Sequence, residues 1–279
     1  MTDRIDAHHH LWRYRSEQFD WISDEMAHLR RDFLPDDLEP LMRAAQIDGT
    51  VAVHARQTLE ETYWLLQLAA ERSWMRGVVG WAPIASPRFP ALLDELRTYR
   101  RLKGLRHIIQ DEPDDNFILG EAFDAGIATL RGTGLVYDIL IHEQHLPQTI
   151  RFVDRHPDQV FVLDHLAKPR IRAGKREPWA TGIRELGRRG HVFCKVSGMV
   201  TEADPRHWSP ADLEPYWQTA LEAFGPRRIL VGSDWPVCEL ASAYTRWFDV
   251  VRQWTGQLST AEQEAILGGN AISVYRLGE

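Results

Sequence analysis

A chain of 279 residues with 44% apolar and 26% charged residues is long enough and apolar enough for one large domain with a sizeable core. Its formal net charge of −7 excludes nucleic acid and anionic membrane as main partners, because both select basic surfaces. Cys194 and Cys238 alone build no disulfide framework, the opening MTDRIDAHHH has no apolar signal segment, and no apolar run approaches the ~18 residues of a membrane span, so a cytoplasmic protein is expected.

Residues 4–7 read as a strand that runs straight into His8, His9 and His10. His8 and His10, one residue apart, then leave the strand on the same face. Neutral imidazole is the commonest protein metal ligand and titrates near neutrality, so this pair is a candidate half of a hydrolytic site, with plain surface histidines as the alternative. Residues 11–32, LWRYRSEQFDWISDEMAHLRRD, lack a clean period and read as a long capping loop. Pro35, Asp36 and Asp37 open a helix whose apolar stripe is Leu38, Leu41, Met42 and Ala45. Short apolar strands follow at 49–54, 77–82, 103–109, 135–141, 159–163, 191–196 and 228–232. Helices fall between and after them, at 60–72, 89–99, 119–131, 146–156, 178–189, 210–224, 244–255 and 260–267. Gly132, Gly190 and Gly225 lie just past helix ends, and Pro157 stops another.

The strands are continuous Val/Ile/Leu runs, as in a parallel sheet buried on both faces. Eightfold β–α alternation predicts a single α/β domain over 1–279, a (β/α)8 TIM barrel with a long capping loop after its first strand. A doubly wound sheet needs a glycine-rich loop after an early strand, whereas Gly132-Thr133-Gly134 precedes one.

Active sites of such barrels sit at the carboxyl ends of the strands. Those ends carry His8 and His10, then His54 with Arg56 and Gln57, then Arg106, His107 and Gln110, then His142, His165, Ser197 and Asp234. Clustered imidazoles with a carboxylate cost stability unless the site has a use. Trp64, Trp74 and Trp217 read as helix packing, Cys194 as a buried strand residue and Cys238 as a loop residue.

His8-x-His10, His142, His165 and Asp234, in this order along the strands, resemble the amidohydrolase superfamily. Longer strings resemble its amidohydrolase 2 branch, which holds sugar lactonases: Asp6-Ala7-His8-His9-His10-Leu11-Trp12, Asp20-Trp21, Leu163-Asp164-His165-Leu166-Ala167-Lys168-Pro169 and Gly232-Ser233-Asp234-Trp235-Pro236. The resemblance implies hydrolysis of a sugar lactone, an L-fucono-lactone or similar aldonolactone, in carbohydrate catabolism. Two alternatives stand beside it: a metal-dependent decarboxylase of the same superfamily, and a barrel that binds a sugar acid without catalysis. Binuclear members carry a bridging lysine or glutamate at the end of strand four, but here Lys103 stands at its start and Arg106 and His107 at its end. That leaves either one divalent metal, such as zinc, on a set drawn from His8, His10, His142, His165 and Asp234, or a metal-free site. Asp234 is the candidate general base, with His165, His142 and Arg106 as candidates to polarise the carbonyl. His54, Gln57, His107, Ser197 and Lys168 are candidate hydrogen-bonding groups for the ring, and Trp12, Trp21 and Trp235 its candidate aromatic wall. The sequence does not define an oligomeric state.

Overall fold

The computed structural model describes residues 2–278. Eight parallel strands follow one another around a single sheet in chain order: β1 (Ile5–His9), β2 (Gly49–Val53), β3 (Met75–Gly80), β4 (Leu102–Ile108), β5 (Val136–Leu140), β6 (Phe161–Leu163), β7 (Val192–Val196) and β8 (Ile229–Val231). β8 returns to β1, where the His10 N–H donates to the Trp235 carbonyl at 2.6 Å and the Asp234 N–H to the His8 carbonyl at 2.8 Å. The helices are α1 (Pro35–Ala44), α2 (Leu59–Glu71), α3 (Phe89–Leu96), α4 (Glu121–Ala128), α5 (Leu146–Arg155), α6 (Trp179–Gly187), α7 (Met199–Glu202), α8 (Pro210–Phe224), α9 (Tyr244–Thr255), α10 (Thr260–Glu264) and α11 (Asn270–Val274). This is the expected (β/α)8 alternation. The expected helix at 260–267 stops at Glu264 and passes through a π-turn (Ala265–Gly269) into α11, since the pair Gly268-Gly269 weakens regular helix. The four-residue α7 is too short to give a periodic signal.

Two apolar layers build the barrel. Outward side chains such as Ala52, Leu105, Ile139 and Val196 pack with the helices in one large core. Inside the barrel, Ile5, Val51, Val79, Val136, Val162 and Leu230 form the lower layer, and Tyr275 and Leu277 of the C-terminal segment pack against it. β1 departs from a plain strand. Asp6 pairs with Thr50 but His9 pairs with Ala52, so β1 carries one residue more than β2 over the same span. Ala7 belongs to the inner layer and the very next residue, His8, also faces inward, against Lys195 and Arg106. A bulge at a barrel rim re-aims side chains in this way.

The segment after β1 has its own order. Trp12 and Phe33 exchange backbone hydrogen bonds of 3.0 and 2.9 Å, two 3-10 turns (Ser16–Gln18 and Asp24–Leu29) lie between them, and Phe19, Ile22 and Leu29 are buried.

Candidate active site

Four donor groups converge at the carboxyl end of the barrel. His8 Nε2 and His10 Nε2 are 3.3 Å apart, and Asp234 Oδ1 lies 3.8 Å from the first and 3.4 Å from the second. His165 Nε2 is 3.9 Å from the same oxygen. Gly232 permits this approach of β8 to β1, because a Cβ there would stand 2.5 Å from His8 Cβ. The His10 Nδ1 lies 2.8 Å from the Val53 carbonyl, an acceptor, so Nδ1 carries a proton, and in the neutral ring Nε2 is the free acceptor. Donors around a tetrahedral zinc at about 2.0 Å stand about 3.3 Å from one another. The separations of the His8, His10 and Asp234 donors, all buried, therefore fit one such ion. A second group, His8, Asp164 and His165, shares His8 with the first.

Burial decides the charge states. It pushes His165 down to about 4 and holds His8 and His54 well below the ordinary imidazole value, so these rings are neutral near pH 7. Burial alone raises the Asp234 carboxyl, but His165, His10 and Lys168 together hold it below the ordinary carboxylate range. The site is thus one ionised carboxylate ringed by imidazole.

His165 rides on an unusual turn. His165, Leu166, Ala167 and Lys168 have φ of 52°, 53°, 58° and 50°, four consecutive non-glycine residues in the left-handed region. Each such residue costs roughly 1 kcal/mol or more. The Trp179 indole donates to the Leu166 carbonyl at 2.6 Å, the Lys168 N–H donates to the His165 carbonyl at 2.8 Å, and Leu166 and Ala167 are fully buried. Gly198, itself at φ 66°, makes room for the ring, since a Cβ there would lie 2.8 Å from His165 Nδ1. Ser197 Oγ then meets that Nδ1 at 2.8 Å.

Under the donors runs a buried ionic chain. Lys195 Nζ contacts the Asp138 carboxylate, lies 3.0 Å from Asp164 Oδ1 and stands 3.3 Å from His8 Nδ1. Arg106 Nη1 reaches the other Asp164 oxygen at 3.0 Å, and the Tyr275 hydroxyl donates to Asp138 at 2.8 Å. Two cations offset two carboxylates, which is the condition for keeping such charges dry. Asp138, Asp164 and Lys195 are not among the site residues expected from the sequence. The available signal was a charged residue in the middle of an apolar strand, VYDIL and VFCKV, on the inward phase.

A cavity of about 200 Å³ opens above the donors, and His10, Arg106, His165, Lys168, Asp234 and Trp21 line it. Gln110 and Asp111 line it too, and the Gln110 Oε1 is buried without a hydrogen-bond partner among the described residues. The other expected residues stand elsewhere. His142 is half-buried and outside both donor groups, with its ring 6.2 Å from that of His145. His54 is buried with Nε2 3.0 Å from the Arg106 carbonyl, and Gln57 accepts the Ile108 N–H at 2.9 Å, so both brace the end of β4. His107 Nε2 meets Glu112 at 2.6 Å and its ring stacks on Phe117. Trp12 and Trp235 are buried around Phe33 and spend their indole N–H groups on the Arg31 carbonyl and on Glu239. They pack the segment after β1, and from it only Trp21 reaches the cavity among the described residues.

The amidohydrolase family model (Amidohydro_2) matches residues 5–277. An L-fucono-1,5-lactonase of Burkholderia multivorans is 41% identical over 287 residues, which cover 99% of this chain and 97% of that protein. An L-fucono-1,5-lactonase of Burkholderia ambifaria is 36% identical over 281 residues, with coverage of 99% and 97%. A crystal structure of an amidohydrolase from Burkholderia multivorans with bound zinc has a TM-score of 0.92 and 41% identity, covering 98% of this chain and 99% of that one. With a match that runs from β1 to the C-terminal segment, and relatives alike over nearly their whole length, the chain belongs to the amidohydrolase family.

Proposed function

We propose that this site opens the ring of an L-fucono-1,5-lactone, or of an aldonolactone with similar stereochemistry, by adding water to its carbonyl. In reaction class the chain is a sugar-lactone hydrolase, like the lactonases it resembles over nearly their full length. The observation that carries the reading at the level of residues is the Asp234 carboxylate, ionised and facing three imidazole nitrogens at 3.4 to 3.9 Å beneath a small cavity. At about 200 Å³ that cavity falls below the roughly 300–1,000 Å³ of drug-sized ligand sites and suits a single ring.

Asp234 takes a proton from the water as its oxygen adds to the lactone carbonyl. A carboxylate of low basicity suffices, because an ester carbonyl needs only modest activation of the nucleophile. Negative charge gathers on the former carbonyl oxygen, and preorganised donors there lower the barrier. The ring C–O bond then breaks, and the proton held by Asp234 passes to the leaving oxygen, giving the open-chain hydroxy acid. Zinc held by His8, His10 and Asp234 supplies Lewis-acid stabilisation of that charge when it is bound. Asp234 Oδ1 faces the imidazoles, which leaves Oδ2 for the proton.

The Trp21 indole forms one wall beside the sugar ring, and Gln110 Oε1 accepts from a ring hydroxyl. Of residues 11–33, Trp21 covers the ring from the β1 side. No described helix is long and apolar enough to cross a membrane, and both cysteines are free and buried. We place the enzyme in the reducing cytoplasm.

Acid release from a panel of aldonolactones, on chelator-treated and on zinc-supplemented protein, tests the proposal. Turnover of L-fucono-1,5-lactone is expected. No turnover of any lactone in either sample overturns the reading and directs attention to decarboxylation of aromatic acids.

A further inference from the structure

The mechanism above calls for positive charge at the carbonyl oxygen, and the cavity wall holds two basic side chains, Arg106 and Lys168. Arg106 is committed. Its Nη1 is held by Asp164 at 3.0 Å, its Nη2 by the His54 carbonyl at 2.5 Å, and its side chain is 2% exposed. It is a structural strut at the cavity floor. Lys168 differs in each respect. It is only partly buried, and among the described residues no carboxylate lies within ion-pair distance of its ammonium and no acceptor takes a hydrogen bond from it. Every other cation near the site has a carboxylate partner: Lys195 has Asp138 and Asp164, and Arg170 has Glu143.

The backbone shows how the ammonium comes to be there. His165 and Lys168 stand three residues apart on the left-handed turn, and both line the cavity. With φ of 50° and ψ of 69°, Lys168 lies outside the right-handed helical region, which the following Pro169 disfavours in any case. An extended exit from β6 would send residues 165 and 168 to opposite faces, whereas a helical turn of backbone brings residues three apart to the same side. The fold accepts four left-handed residues in a row and anchors them with Trp179. Strain of this kind persists where the surrounding structure over-determines it, at sites that use the geometry.

We propose that Lys168 is the electrophilic residue of the site, its ammonium donating to the lactone carbonyl oxygen and holding the charge that forms there when water adds. The turn at 165–168 presents Lys168 and His165 to the same substrate, since both line the cavity. The inference rests on the lactonase reading and adds to it the group that receives the negative charge. No atom is transferred by Lys168: the carbonyl π pair moves onto the oxygen beside the ammonium and returns to carbon as the ring C–O bond breaks.

The test is steady-state kinetics of Lys168→Met and Lys168→Ala on the best lactone substrate, with Asp234→Asn as a reference for loss of the base. Lys168→Met keeps an apolar stem of similar length on a partly exposed residue. Removal of one charge-stabilising donor typically lowers kcat by about 10²–10³. We expect a fall of that order in kcat for Lys168→Met with KM within a few-fold of wild type. We also expect partial recovery of Lys168→Ala, and none of Asp234→Asn, on adding propylammonium. Lys168→Met with kcat within about threefold of wild type overturns the inference, as does a loss confined to KM, since that marks uniform binding rather than stabilisation of the transition state. Wild-type protein that hydrolyses no lactone overturns the lactonase reading itself. Failure of that reading is therefore distinct from failure of the role given to Lys168.

Discussion

Asp234 Oδ1 stands 3.4 Å from His10 Nε2, and His10 has already committed its one neutral-state proton to the Val53 carbonyl through Nδ1. Two acceptors aimed at one another in a buried site call for a proton or a cation between them. One equivalent of zinc is therefore expected to bind the chelator-treated protein in calorimetric titration. It should raise the thermal midpoint by mass action, about 2.7 kcal/mol at a free concentration a hundred times Kd. His10→Ala should weaken binding by at least about tenfold. His142→Ala, whose ring lies outside the donor groups, should leave zinc affinity unchanged.

Asp234→Asn preserves shape and removes the base. Lactone hydrolysis should fall by about 10²–10⁴ in kcat, the usual worth of a positioned general base. Near-wild-type far-ultraviolet circular dichroism and retained affinity for a lactone analogue would show that the fold and the cavity survive. An activity close to wild type would remove Asp234 from the chemistry.

Lys195 sits fully buried between Asp138 and Asp164. Lys195→Met leaves two carboxylates facing each other without their shared cation. Breaking a buried pair in this way costs about 3–5 kcal/mol. Urea unfolding should show that loss, and adding Asp138→Asn to Lys195→Met should recover part of it. A stability change below about 1 kcal/mol would mean that the interior is wet enough to screen the chain.

Handedness of the turn at 165–168 predicts an asymmetry between two alanines that are both fully buried, Ala167 in the turn and Ala220 in α8. Ala220→Gly should cost about 1 kcal/mol for backbone freedom in a right-handed helix, plus the buried methyl. Ala167→Gly loses the same methyl but relieves a left-handed backbone, so its cost should be smaller by about 1 kcal/mol. Equal costs for the two variants would mean that Ala167 carries no strain.

The pH dependence of stability has a sign set by His165. Burial pushes its pKa down to about 4, against 6.5 for an unperturbed ring. Between these values the unfolded chain binds a proton that the folded chain does not, so this contribution is complete above pH 6.5 and is lost as pH falls toward 4. A difference of that size is worth roughly 3 kcal/mol at its limit. Asp6 and Asp138, pushed up to about 6 by burial, act in the opposite direction, so the raw curve mixes both. Comparison of wild type with His165→Gln isolates the ring: the wild type should lose more thermal stability between pH 6.5 and 4.5 than the variant.

What the sequence determined by itself is the barrel and the roster at its carboxyl rim. Eight apolar runs each followed by a helix are local patterns, set by side-chain period and by glycine and proline at element ends, so they are legible without tertiary contacts. His8, His10, His165 and Asp234 were legible for the same reason, as polar residues at the ends of apolar runs. The tertiary structure decided which rim residues meet. A single extra residue in β1 turns both Ala7 and His8 inward, and no period-2 reading contains it. The turn at 165–168 runs against the intrinsic preference of all four of its residues and stands only because Trp179, the buried Leu166 and the space left by Gly198 enclose it. His142, at an equally promising strand end, lies outside the donor groups, and Trp12 and Trp235 pack around Phe33 instead of lining the cavity. Lys195 and Asp138 looked like isolated charges in apolar strands, and they are 57 residues apart in the chain. Burial and long-range partners fix where such groups point, and those are properties of the closed barrel and of no local stretch of sequence.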